Sequence, residues 1–99
     1  MPIEVVDNST ENRFEILVDG KVAGFADYRL LPNKIAFTHT EVLPAYEGQG
    51  LASRLVEHAL RASADTGLGV VPLCPYVKAY IERHPEFQDL VDGSSVPGS

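Results

Sequence analysis

Gly48, Gln49 and Gly50 stand between a β-rich stretch that ends near Pro44 and an amphipathic run that begins at Leu51. That order builds a site for an anion. Glycine lets backbone N–H groups approach a ligand closely, and the first turn of a helix adds partial positive charge. Two nucleotide motifs with a similar skeleton do not fit. A P-loop ends in Gly-Lys-Ser/Thr, whereas Gly50 is followed by Leu51 and Ala52, so no lysine reaches phosphates. The dinucleotide fingerprint needs a third glycine or alanine near position 53, where Ser53 stands, and belongs to a larger doubly wound sheet.

Other residues could act beside such an anion. His39 and Glu41 alternate with Thr38 and Thr40 just before the turn, which in a strand puts His39 and Glu41 on one face. Histidine ionises in the range suited to taking a proton near neutral pH, while a glutamate needs its pKa raised or a water relay. Cys74 precedes Pro75, a residue that can open a helix. A thiol at a helix N-terminus ionises more readily and can be a nucleophile; a free cysteine is equally at home as a small buried residue. His39-Thr40-Glu41 with Pro72-Leu73-Cys74 has the outline of the zinc deaminase signature, but the second cysteine would fall at Val77. Without a third ligand, no zinc site is expected. His58 is expected on a helix surface, and His84 at a helix end against the last carbonyls.

The elements that position these groups change character midway. Ile3–Val6 reads as a strand before the turn-prone Asp7-Asn8-Ser9. Arg13–Val18 and Lys21–Tyr28 flank Asp19-Gly20, the dipeptide suited to a type I′ hairpin. Strict alternation would place Val22, Gly24 and Ala26 on one face and Ala23, Phe25 and Asp27 on the other. Leu31-Pro32-Asn33 turns the chain into a strand over Ile35–Val42, completing an antiparallel meander of about four strands. From Gly50 to Thr66 the period becomes helical, with Leu51, Leu55, Val56, Ala59 and Leu60 on one stripe, Glu57 and Arg61 paired, and Gly67 as the stop. Leu68–Leu73 is a short strand whose Pro72 suits an edge, and Pro75 opens a second helix that ends at Pro85. The strand–helix–strand stretch from 35 to 73 predicts a right-handed crossover between parallel strands, with a ligand at their carboxyl ends. The fold class is thus α+β, with residues 1–91 as one domain and 92–99 as a disordered tail.

Composition narrows the function classes. The chain has 99 residues and a hydrophobic share of 44%, ordinary for one small domain. Its net charge is −6 and its eight Lys and Arg residues are scattered, whereas nucleic-acid backbones need clustered cations. No apolar run approaches the ~18–20 residues of a membrane span, and Met1-Pro2-Ile3-Glu4 is no signal segment, so no membrane association and a cytoplasmic location are expected. A single cysteine excludes an intramolecular disulfide.

Val-x-Pro-x-Tyr-x-Gly-x-Gly-x-Ala, here Val42 through Ala52, resembles motif A of the GNAT superfamily of acyl-CoA-dependent N-acyltransferases. That family has Arg/Gln-x-x-Gly-x-Gly/Ala between its fourth strand and a long helix; here Glu47 replaces the Arg or Gln, and its carboxylate is expected to point away from phosphates. The family's Tyr-x-x-x-Gly-Phe is similar to Tyr80-Ile81-Glu82-Arg83 leading to Phe87. The chain looks like a short single-domain branch (YjdJ-type), with no room for the family's first two helices.

The resemblance implies that acetyl-CoA is the co-substrate and an amine the acceptor. Backbone amides of Gly48, Gln49, Gly50, Leu51 and Ala52, with the Ser53 hydroxyl, would hold the pyrophosphate. Main-chain groups of Val42 and Leu43 would align the pantetheine arm. Tyr80 would protonate the leaving thiolate, unless it is a core aromatic, and a base would come from His39 or Glu41. Amine attack could be direct or pass through acyl-Cys74. A non-catalytic CoA-binding module is the alternative. The acceptor and the oligomeric state are not written in the sequence.

Overall fold

Both residues of the Asp19-Gly20 turn adopt positive φ (52° and 80°), the type I′ geometry that folds β2 (Arg13–Val18) back as β3 (Lys21–Leu31). This computed structural model describes residues 2–91. β1 (Ile3–Asn8), β2, β3 and β4 (Lys34–Val42) form the antiparallel meander, and β5 (Gly69–Pro72) adds to β4 in parallel, giving the order β1-β2-β3-β4-β5. Between β4 and β5 lie a 3₁₀ turn (Pro44–Tyr46) and α1 (Leu51–Asp65); α2 (Pro75–Arg83) and a second 3₁₀ turn (Pro85–Leu90) follow β5. The mixed five-stranded sheet with its helices agrees with the α+β expectation. The tail expected to be disordered from residue 92 lies outside the described residues.

The turn expected at Asp7-Asn8-Ser9 starts later. β1 runs on to Asn8, which pairs with Arg13 while its side chain caps the loop by accepting the Glu11 N–H at 3.3 Å. β3 also continues three residues beyond Tyr28, paired with the start of β4. The face assignment along β3 needs correction. Pairing passes from Ile16–Gly24 to Leu17–Val22, so Ala23 is an inserted residue that breaks the alternation. Ala23 and Ala26 are therefore both fully buried. A second irregularity, at Thr38, lies between the Tyr28–Phe37 and Asp27–His39 pairs.

One face of the sheet carries the core. Phe14, Ile16 and Val18 of β2 pack with Leu55, Val56, Ala59 and Leu60 of α1 and with Val77 and Ile81 of α2. Burying each of these larger side chains contributes about 1.5–3 kcal/mol. α1 stops as expected: Gly67 takes φ +75° and donates its N–H to the Ala64 carbonyl at 3.1 Å. Tyr28, also buried here, donates to Asp7 Oδ1 at 2.6 Å, and burial followed by that carboxylate holds its phenol well above the ordinary range.

Gly24 matters to the spacing of strands. A Cβ built there would come within 2.7 Å of the Glu41 carbonyl oxygen and 3.2 Å of Val42 Cα, so only glycine lets β3 lie this close to the end of β4.

The opposite face is polar. Glu15 accepts from Arg13 Nε at 2.8 Å and from Asn8 Nδ2 at 3.1 Å. Burial pushes its carboxyl up, but those hydrogen bonds and the Arg13 charge outweigh it, and the net direction is below the ordinary value of 4.5. A depressed carboxyl stabilises the fold fully above pH 4.5, and that contribution is lost as pH falls through the lower folded-state value. The gap in melting temperature between wild type and Glu15→Gln should therefore shrink as pH drops from 5 toward 3, an interval of about two units around the ordinary carboxyl range. A gap that stays constant across that interval would contradict this account.

Candidate functional site

β4 and β5 pair only from Lys34–Gly69 to Phe37–Pro72. Proline has no N–H to continue a ladder, and the last link is the Cys74 N–H donated to the Phe37 carbonyl at 2.8 Å. Beyond it the chain turns into α2 while β4 runs on through Val42, so residues 38–42 have no neighbouring strand on that side. Pairing of the two parallel strands thus stops short, and the unpaired space beyond it is a gap at their carboxyl ends.

Main-chain groups face that gap in a definite order. The Leu43 N–H donates to the Ala23 carbonyl at 2.8 Å, and the Leu43 carbonyl accepts from Tyr46 at 2.9 Å. Hydrogen-bonding direction alternates along a strand, so the N–H and C=O of Val42 point away from β3 and into the gap. Val42 thus offers strand-like pairing; Leu43, expected to share that task, has both groups engaged within the chain.

The glycine turn closes the far end of the gap. Gly48 and Gly50 take φ of +84° and +73°, and a Cβ added at either would meet nothing within 4 Å, so the backbone is bare on its outer side. Gly50 is the N-cap of α1 and supplies no capping side chain. The first bond into the helix is Arg54 N–H to the Gly50 carbonyl at 3.3 Å; Gln49 N–H closes the turn at Glu47–Gly48, while the N–H groups of Gly48 and of Gly50 through Ser53 make no backbone hydrogen bond within the described residues. Five open donors at a positive helix end could receive an anion, the role expected of this turn from the sequence. The Leu51 side chain is buried, so only its backbone belongs to the cradle. Gln49 and Glu47 are exposed, and Glu47 ends the 3₁₀ turn by donating its N–H to Pro44.

Cys74 lies at the base of the gap as the N-cap of α2, buried, with its thiol 3.5 Å from Thr40 Oγ1. His39 and Glu41 come together as expected: Nε2 and Oε1 are 3.1 Å apart, and both side chains are about half exposed. They occupy the sheet face opposite Thr40 and Cys74, beside the Phe25 ring at 6.1 Å, over which Arg13 sits at 4.7 Å. The gap therefore has a helix side, with the thiol and the cradle, and an open side, with the histidine and its carboxylate.

Tyr80 does not join either group. It is 4% exposed, stacked on His84 with centroids 3.9 Å apart, and packed against Phe87. Burial raises its phenol pKa, and Glu57 and Glu86 raise it further against the opposing Arg61. Of the two roles open to it, this is the environment of the core aromatic. His84 Nδ1 lies 2.8 Å from the Tyr80 carbonyl, and His58 is exposed, both as expected.

Two neighbours of the gap were not singled out from the sequence. Tyr76 OH lies 3.1 Å from Ser53 Oγ and ties the first turn of α2 to the first turn of α1. Its signal was its place just after Pro75: helices that follow parallel strands start at the same sheet edge. Thr40 was legible as the residue alternating with His39 and Glu41. An open groove of about 460 Å³ lies elsewhere, between β1 and α1, lined by Ile3, Val5, Arg54, Glu57, His58 and Arg61 among others.

No helix of the described residues is long and apolar enough to cross a membrane. Residues 13–90 match the family model of the GCN5-related N-acetyl-transferases, whereas no curated protein matches the sequence. Among solved structures, a GCN5-like N-acetyltransferase candidate from Staphylococcus aureus superposes with a TM-score of 0.69 at 25% identity, covering 91% of this chain and 88% of that one. The ribosomal-protein-S18-alanine N-acetyltransferase of Escherichia coli gives 0.57 at 26% identity, over 61% of this chain and 39% of its own. With the motif and the interrupted β4–β5 pairing already in place, the chain belongs to the GCN5-related N-acetyltransferase (GNAT) superfamily.

Proposed function

We propose that this chain is an acetyl-CoA-dependent N-acetyltransferase acting on an amine. The observation that carries the reading is the set of five unengaged N–H groups at Gly48 and Gly50–Ser53, set at one end of a gap whose other wall is the free edge of Val42. A pyrophosphate fits the first, because the positive-φ glycines leave that side bare. An amide-containing arm fits the second, because it can pair with Val42 as a short strand would. The bound co-substrate supplies an activated acetyl thioester.

The chain's own groups then divide the work. The cradle fixes the anionic end without needing a cation. On the open face, the tautomer of His39 that donates Nε2–H to Glu41 leaves Nδ1 to accept a proton from the attacking amine. As the new N–C bond forms, the C–S bond breaks and the thiolate leaves. Cys74, at the base of the gap, favours a second route in which its sulfur takes the acetyl group before the amine does. Tyr80, the family-matched acid, is buried against His84 and Phe87, which lends support to a CoA-binding module that does no chemistry.

Calorimetry and thiol release separate these readings. Acetyl-CoA should bind the wild type, and thiol release should appear with some member of a panel of amines. Binding without release from any of them points to the module. His39→Ala should lower turnover about 10²-fold while leaving acetyl-CoA affinity unchanged. Gly50→Val should cost about 1–2 kcal/mol of stability through its left-handed backbone and abolish binding by filling the bare side of the cradle. Normal acetyl-CoA binding by a folded Gly50→Val protein would remove the basis for the cradle. Mass spectrometry after incubation with acetyl-CoA reports the route: an acetyl adduct on Cys74 marks the covalent one, and turnover without an adduct marks direct attack.

A further inference from the structure

We propose that Tyr76, rather than Tyr80, is the phenol that meets the co-substrate: a positioning residue whose hydroxyl, paired with that of Ser53, donates to the anion held at the start of α1. The inference rests on the acyl-transfer reading above. α1 and α2 each follow one of two parallel strands, so both helices begin at the same edge of the sheet. The 3.1 Å contact between Ser53 Oγ and Tyr76 OH joins those two beginnings. Ser53 also contributes its N–H to the row of free donors, so the phenol ends one hydrogen bond from the cradle itself.

Proton counting gives the pair its use. Two hydroxyls carry two protons, and their mutual hydrogen bond occupies one. The other is available to an oxygen anion without breaking the Ser53–Tyr76 contact, and a hydrogen bond to a charged oxygen is the stronger kind. Other side chains near the cradle are poorly placed for this. Arg54 lines the cavity against β1, and Tyr80, one helical turn beyond Tyr76, is buried against His84 and Phe87. Tyr76 is only half buried, so an incoming ligand can reach it.

The test is calorimetric titration of the intact chain with CoA, ADP and pantetheine, for wild type, Tyr76→Phe and Ser53→Ala. Tyr76→Phe should weaken CoA and ADP by about tenfold, the range of one hydrogen bond to a charged group, and leave pantetheine unchanged. Ser53→Ala should weaken the same two ligands. Unchanged CoA and ADP affinities in Tyr76→Phe overturn the assignment. So does equal weakening of pantetheine, because a residue that merely holds the helices together affects every ligand of the gap. A wild type that binds no CoA overturns the acyl-transfer reading itself, and this inference with it.

Discussion

The end of pairing between β4 and β5 is the constraint on which the site depends. Four residue pairs hold the strands together, and then Pro72 offers no N–H to extend the ladder. Had pairing continued, Val42 would have given its hydrogen bonds to β5, and the glycine turn would have overlooked a closed sheet. Because it stops, a strand edge, two helix starts and a thiol surround one opening. The interruption is cheap to maintain, since the antiparallel side of β4 stays paired as far as Val42. The sheet can therefore hold an unpaired parallel edge open without relying on a ligand to keep its shape.

The irregularity at Thr38 works with that interruption. Phe37 faces the core, and strict alternation from it would have turned His39 and Glu41 inward with it. The inserted residue resets the phase, so Thr40 and Val42 face the helices while His39 and Glu41 face outward. The His39–Glu41 pair and the Cys74 thiol are thereby held on opposite sides of one strand, separated by the backbone.

Much of this was legible in the sequence because it rests on local signals. Asp19-Gly20, Gly67 and Pro75 each fix a backbone geometry by themselves, and the helical stripe from Leu51 to Leu60 announces its buried face. The glycine turn was legible for the same reason: Gly48 and Gly50 sit between a strand and a helix. What escaped depended on pairing between distant residues. The insertion at Ala23 arises from register with β2, and nothing around Ala23 signals it. Leu43 has both main-chain groups engaged because Ala23 and Tyr46 happen to be its neighbours. Tyr80 matched a family pattern, yet its burial follows from how α2 rolls against α1 and the segment after it. Tyr76 became visible only when two helix starts were brought to one edge.

Gly24 acts as a shim at the opening. Its missing side chain sets how close β3 lies to the last residues of β4, and hence how far that edge stands out over the gap. Any larger residue would have to displace the Glu41 and Val42 backbone, from the β3 side rather than from the gap. The width of the cleft is therefore gauged from behind, by a position that no inventory of ligand contacts would include. Tolerance to change at residue 24 is governed by the tolerances of the opening, as with the backing of a hinge.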